Sequence, residues 1–202
     1  DYLEVLFGHA VAVQPAPQPL GYRNRMDFVY GFDALGLRKR GDYKTVVDVR
    51  VCHLIPQRVQ EAFAVVKNAL QLHGVLSYDV LAHEGFLRYV VFRYAPHTGE
   101  LMILFTTTTP KENEEAELLA VCRAAQPLAQ SVQWFINDSI TDVSLPPHPP
   151  RLVMGAPDIT EQIGPLKLSF SPHSFFQNNS AMTKIVFDKI QEAVKRSEER
   201  RV

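Results

Sequence analysis

Cysteine is nearly absent: the 202 residues contain two, Cys52 and Cys122. That is too few for a disulfide framework in a chain of this size, and it fits a reducing, cytoplasmic setting. Glycine is scarce as well, with ten residues. None of them builds a phosphate-binding loop or a G-x-G-x-x-G turn behind a strand. No apolar run approaches the roughly 18 residues of a membrane-spanning helix. "DYLEVLFGHA" lacks the basic region and long apolar run of a secretory signal. The chain begins with Asp rather than Met, which suggests a piece cut from a longer protein. An excess of one charge is also missing. Lys and Arg number 21 against 22 Asp and Glu, a formal net charge of -1, so no global attraction to nucleic acid is indicated. The seven histidines form no helical H-x-x-x-H pair and no Cys/His metal spacing. G-x-S-x-G is absent and the carboxylates are scattered. Motif by motif, no self-contained catalytic centre is visible.

What is present is a core. Hydrophobic residues make up 46% of the chain, enough for one domain, or one domain plus pieces of another. "YLEVLFG" reads as the end of an amphipathic helix stopped by Gly8. The Pro-rich "QPAPQPLG" is an extended connector. "RMDFVYGFD" and "LGLRKR" read as a hairpin broken near Asp33 and Ala34, and "KTVVDVRV" as a further strand. "PQRVQEAFAVVKNALQLHG" is the clearest helix, with Val59, Phe63, Val66, Ala69, Leu70 and Leu72 on its apolar stripe. "GFLRYVVFRYA" and "ELMILFTTTT" flank "PHTG" as a second hairpin. "KENEEAELLAVCRAAQ" is a helix with an acidic first turn, and Cys122 belongs to its core side. "SVQWFIND", "RLVMG" and "LKLSF" read as strands, "SLPPHPP" as a stiff loop, and a helix follows near residue 180. Hairpins outnumber β-α-β units. The expected fold is therefore α+β, hairpin-rich, with a mostly antiparallel sheet and helices packed on one side.

Three segments stand out chemically. In "GYRNRMDFVYG", Arg23 and Arg25 are two apart on a strand and share a face, while Asn24 points the other way. Such a pair grips phosphates, or is simply the charged outer face of a hairpin. In "VVDVRVCHLIPQ", Cys52 leaves a strand into a loop, where it is either a ligand or a core residue. In "SPHSFFQNNSAMTKIVFDKI", aromatic and amide side chains precede a helix. A Phe ring offers a stacking face, and Gln offers a donor and an acceptor for a base edge. The plainer reading puts Phe175 and Phe176 in the core and makes Gln177 a helix cap.

These segments, in this order, resemble the family of S-adenosylmethionine-dependent RNA uracil-5-methyltransferases. The likeness is carried by "GYRNRMDF", "LGLRKRG", "VVDVRVCHLIPQ", the hairpin "GFLRYVVFRY…TGELMILFTT" and "ITEQIGPLKLSFSPHSFFQNN", and spans nearly the whole chain. It implies a parent that methylates C5 of a uridine in transfer or ribosomal RNA. There a cysteine thiolate adds to C6 of a flipped uracil, C5 attacks the cofactor methyl, and a base removes the C5 proton. The resemblance places that cysteine, the base and the glycine-rich cofactor loop in a Rossmann-like domain beyond Val202. This chain alone is accordingly expected to be inactive. Residues 1–20 and 173–202 would belong to that methyltransferase domain, and residues 21–172 would form a central RNA-contacting domain.

Carried over by position, Phe175 matches the aromatic residue beside the flipped uracil. Gln177 matches the glutamine of F-x-Q near base and cofactor, and Asn179 falls at the neighbouring asparagine contact. Arg23 and Arg25 match an RNA-proximal Y-R-x-R, and Phe86 a residue lining the base pocket. Cys52 matches the fourth cysteine of the 4Fe–4S cluster that some members carry, whose other three ligands are not in this chain. The competing expectation is a stand-alone, non-catalytic RNA-binding or iron–sulfur scaffold module.

Overall fold

Two hairpins set the frame, and each follows from its turn. The structure, a computed structural model, describes residues 2–199. β1 (Arg25–Gly31) passes into β2 (Ala34–Lys39) through Phe32 and Asp33, at φ 53° and 57°. Two consecutive positive φ values mark the type I′ turn, whose twist suits paired strands. β4 (Leu87–Ala95) passes into β5 (Glu100–Thr107) across "PHTG". There Gly99 sits at φ 77° and its N–H donates to the Ala95 carbonyl at 2.8 Å.

With β3 (Asp42–Asp48), β6 (Ser131–Ile136) and β7 (Arg151–Gly155), these strands form a seven-stranded sheet in the order β3-β2-β1-β4-β5-β6-β7. Neighbours pair antiparallel except β5 and β6, which run parallel. Parallel neighbours need a crossover, and α3 (Glu114–Ala125) lies within it.

Each face of the sheet buries a different partner. On one face, α2 (Gln57–Leu72) and α3 cover the larger core. Phe28 of β1 meets Phe63 of α2 at 4.5 Å and Phe92 of β4 at 5.9 Å between ring centroids. On the other face, a two-stranded hairpin of β8 (Ile159–Ile163) and β9 (Leu166–Phe170) covers a smaller core. Its Ile159 and Phe170 pack with Val91, Met102, Leu104 and Phe135. The fold is thus the expected α+β sheet with α2 and α3 on one side.

Two details differ from the sequence reading. "RLVMG" pairs with β6, and "LKLSF" pairs with "ITEQI", a strand the sequence reading missed. In β8 the inward positions are Ile159, Glu161 and Ile163, and a carboxylate at the centre of the buried face hides the alternation. Leu72, assigned to the apolar stripe of α2, is 80% exposed at the helix end, while Ala62 takes a buried place. The chain ends in helices: α1 (Tyr2–Phe7) and α4 (Ser180–Glu199). No helix among the described residues is long and apolar enough to cross a membrane.

Candidate functional site

β1 and β2 are paired only where Val29–Gly31 face Ala34–Gly36. Toward Arg25 the strands part, and a cleft of ≈ 460 Å³ opens. Arg23, Arg25 and Asp27 supply its polar wall, and Met26, Leu37 and Leu54 its apolar lining. The third side is the approach to α4, through Phe175, Phe176 and Asn178. Phe176 is anchored by stacking on Phe170, with centroids 4.9 Å apart and planes at 17°. Phe175 is 84% exposed. The exposed Phe175 ring and the two arginines thus border one opening.

The two arginines share the cleft, although Arg23 precedes β1 rather than lying on it, and Asn24 between them is buried. Their chemistry differs. Arg25 clamps Asp27 with Nε to Oδ1 at 2.9 Å and Nη2 to Oδ2 at 2.8 Å. Asp27 also accepts the Ser144 hydroxyl. The Asp27 hydrogen bond and charge outweigh burial and hold the Arg25 guanidinium above its ordinary value. Burial pushes the Asp27 carboxyl up. The bonds from Arg25 and Ser144 and the charges of Arg25 and Arg93 outweigh it, so the carboxyl lies below the usual carboxylate range. Arg23 donates only its Nε, to the Arg25 carbonyl at 3.1 Å. Its two terminal nitrogens have no protein partner among the described residues, so Arg23, unlike Arg25, is not committed to a carboxylate.

The segment from residue 175 to 179 serves two clefts. Gln177 and Asn179 line a second one of ≈ 140 Å³ with Met182, Thr183, Val186 and Phe187 of α4. Gln177 is exposed, and its amide has no protein partner among the described residues. Asn179 is the helix cap: its Oδ1 accepts the Met182 N–H at 3.1 Å, and its carbonyl accepts the Thr183 N–H at 3.0 Å. The cap expected at Gln177 therefore falls two residues later. Asn178, which the sequence reading passed over, faces the first cleft.

Two expected residues lie elsewhere. Phe86 is fully buried in the core under α2 and α3, edge-on to Trp134 at 6.3 Å. It lines neither cleft, because "GFLRYVV" enters the sheet there and the ring turns inward. Cys52 is 8% exposed and packs in the same core. Among the described residues no group of three or more His, Cys, Asp or Glu side chains can hold a metal. The residues present do not fit an iron–sulfur cluster. Cys122 is buried on α3, and burial pushes its thiol up to about 12 against a small opposing effect of Arg123. Such a setting favours the neutral thiol over the thiolate.

No protein-family model matches the chain. It is 32% identical over 180 residues to a tRNA (uracil(54)-C(5))-methyltransferase of Pyrococcus furiosus, matching 89% of this chain and 42% of that protein. An uncharacterized RNA methyltransferase of Caldanaerobacter subterraneus is 30% identical over 189 residues, 90% of this chain and 42% of the relative. The crystal structure of the Pyrococcus abyssi tRNA (uracil-54, C5)-methyltransferase, in complex with S-adenosyl-L-homocysteine, superposes with a TM-score of 0.78 at 27% identity. That match covers 94% of this chain and 45% of the enzyme. The chain thus spans somewhat less than half the length of the proteins it matches. In sequence and in fold, it is a homologue of that portion of the RNA uracil-C5-methyltransferases.

Proposed function

We propose that the chain is the RNA-contacting part of an RNA uracil-C5-methyltransferase, which methylates C5 of a uridine in transfer or ribosomal RNA with S-adenosylmethionine as methyl donor. The observation that carries this reading is the first cleft. It brings the uncommitted Arg23 cation, the exposed Phe175 ring and the Asn178 amide to one opening. Those are the groups an extruded nucleotide needs: a charge for phosphate, a face for stacking and an amide for a base edge. Flipping a uridine costs a few kcal/mol, and stacking on Phe175 returns roughly 1–3 kcal/mol of it.

The second cleft is the cofactor-side wall. At ≈ 140 Å³ it is well below the ~300 Å³ lower end of small-molecule sites. Gln177, and Asn179 through the amide nitrogen its cap leaves free, would hold part of S-adenosylmethionine there. The cofactor, when bound, supplies an electrophilic methyl group. Residues 21–172 are the RNA-contacting domain, and residues 1–20 and 173–202 pack into the methyltransferase domain. The bare apolar side chains of Val5, Leu6 and Phe7 on α1, and of Val186, Phe187 and Ile190 on α4, fit that partition. The nucleophile and base lie outside residues 1–202, in keeping with the inert, buried Cys122.

The test is titration of the full-length protein with a uridine-rich RNA loop at low salt, with and without S-adenosylhomocysteine. Binding that weakens on Phe175→Ala and on Arg23→Ala supports the reading. No binding, or binding indifferent to both changes, overturns it.

A further inference from the structure

The backbone carrying the cleft residues is held from both ends by two buried side chains that touch neither cleft. Arg93 of β4 is 2% exposed. Its Nη1 donates to the carbonyls of Ser171 at 2.6 Å and Pro172 at 2.7 Å, and its Nη2 to Ser174 at 2.7 Å. The guanidinium also lies 4.7 Å over the Phe170 ring, on which Phe176 stacks. Burial pushes this arginine down to about 10, with the charge of Arg25 acting the same way and that of Asp27 against it. It remains a cation at neutral pH.

Asn24, 5% exposed, takes the other end. Its Nδ2 donates to the Gln177 carbonyl at 2.8 Å and to the Ser180 hydroxyl at 3.0 Å, and its N–H to the Asn178 carbonyl at 3.0 Å. Its own carbonyl accepts the Tyr94 N–H at 2.7 Å. Both holds therefore start from neighbouring residues of β4, Arg93 and Tyr94. The Ser180 hydroxyl in turn donates to the buried Glu161 Oε2 at 3.0 Å. The other oxygen of Glu161 accepts the N–H groups of His97 at 3.1 Å and Gln162 at 2.8 Å. Five backbone carbonyls between residues 171 and 178 are thus fixed by Arg93 and Asn24, on either side of a Phe175 whose ring is bare.

We propose that Asn24 and Arg93 are positioning residues for the RNA site. They fix the path of residues 171–178 so that Phe175 and Asn178 open into one cleft while Gln177 and its neighbour Asn179 open into the other. A carbonyl held by a buried donor cannot rotate without leaving that donor unpaired. A one-residue slip of the segment would carry Gln177 into the first cleft and Asn178 into the second. Assigning the site to RNA rests on the function proposed above; the positioning itself does not.

The experiment uses the full-length protein and the Asn24→Ala variant, which keeps the backbone bonds of Asn24 and removes only its amide. Hydrogen exchange is followed in the peptide spanning residues 171–180, and methyl transfer to uridine in RNA is measured in parallel. Loss of two hydrogen bonds should speed exchange there about tenfold or more, with the β4–β5 hairpin unchanged. Misplacement of Phe175 should lower the rate of methyl transfer roughly 10–100-fold and weaken RNA binding by no more than Phe175→Ala does. Combined with Phe175→Ala, the loss should be smaller than the product of the single losses. A merely structural role would give a multiplicative loss. Unchanged exchange at 171–180, or multiplicative losses, would overturn the proposal. A wild-type protein without uridine methylation would instead remove the function proposed above, and the exchange measurement would still decide whether Asn24 holds the segment.

Discussion

Replacing Phe86 and Phe175 by alanine, one at a time, should separate a core ring from a site ring, where the family resemblance places both at the base pocket. Phe86 is fully buried, and its ring meets Trp134 edge-on. Removing a buried aromatic costs about 3–5 kcal/mol, through lost transfer energy and the cavity left behind. With a urea slope of about 2 kcal/mol per M, the unfolding midpoint should fall by roughly 1.5–2.5 M. Trp134 is the single tryptophan of the 202-residue chain and lies against the deleted ring, so its fluorescence reports the transition directly. Phe175 is 84% exposed, and Phe175→Ala should move the same midpoint by no more than about 0.5 kcal/mol equivalent. RNA titration of the full-length protein should give the reverse pattern. Loss of one stacked base, about 1–3 kcal/mol, weakens binding roughly 5–150-fold in Phe175→Ala. Phe86→Ala, corrected for its folded fraction, should bind as wild type. A Phe86→Ala protein of nearly normal stability that binds RNA poorly would refute the placement of that ring in the core. A Phe175→Ala protein with unaltered RNA affinity would refute the stacking role.

Two further outcomes follow from the polar wall of the first cleft. Because the Asp27 carboxyl is held below its ordinary range, its contribution to stability is present above about pH 4 and is lost as the pH falls through its folded-state value. Urea midpoints measured from about pH 5 down to about pH 2 should therefore fall more steeply in wild type than in Asp27→Asn, and equal slopes would count against the Arg25–Asp27 clamp. Arg23→Ala should weaken RNA binding and lower the salt dependence of log K by about one phosphate contact, with the unfolding midpoint unchanged; an unaltered salt slope would remove Arg23 from the phosphate contacts.

Much of the fold is legible in the sequence because its elements are periodic and punctuated. The "PQRV…LHG" helix has its Pro and Gly stops, and the β4–β5 hairpin has its turn residues, whereas the β1–β2 turn at Phe32 and Asp33 falls one residue before the expected break. Both arginines reach one cleft, but Arg23 precedes β1, so strand alternation accounts only for the strand residue Arg25. What stayed hidden shares a physical cause: charged and polar residues at inward positions. Glu161 sits at the centre of the buried face of β8 and disguises a strand. Arg93 lies within an apolar strand and reads as surface charge, yet it is almost fully enclosed. Asn24 was placed on the correct face, but its hydrogen bonds reach residues more than 150 positions away, and local pattern does not predict such pairings. A buried arginine inside a run like "YVVFRYA" is the signal that could have pointed to a polar anchor. Phe86 and Phe175 are the converse case. Residue type alone does not distinguish a ring in the core from a ring in a site, and burial separates them.

Nucleoside mass spectrometry of unmodified transfer and ribosomal RNA, incubated with the full-length protein and S-adenosylmethionine, tests the proposed activity most directly. The expected result is 5-methyluridine at a defined position, formed much more slowly by the Phe175→Ala protein. Absence of 5-methyluridine from both RNAs, or a methyl group on another base atom, would contradict the assignment.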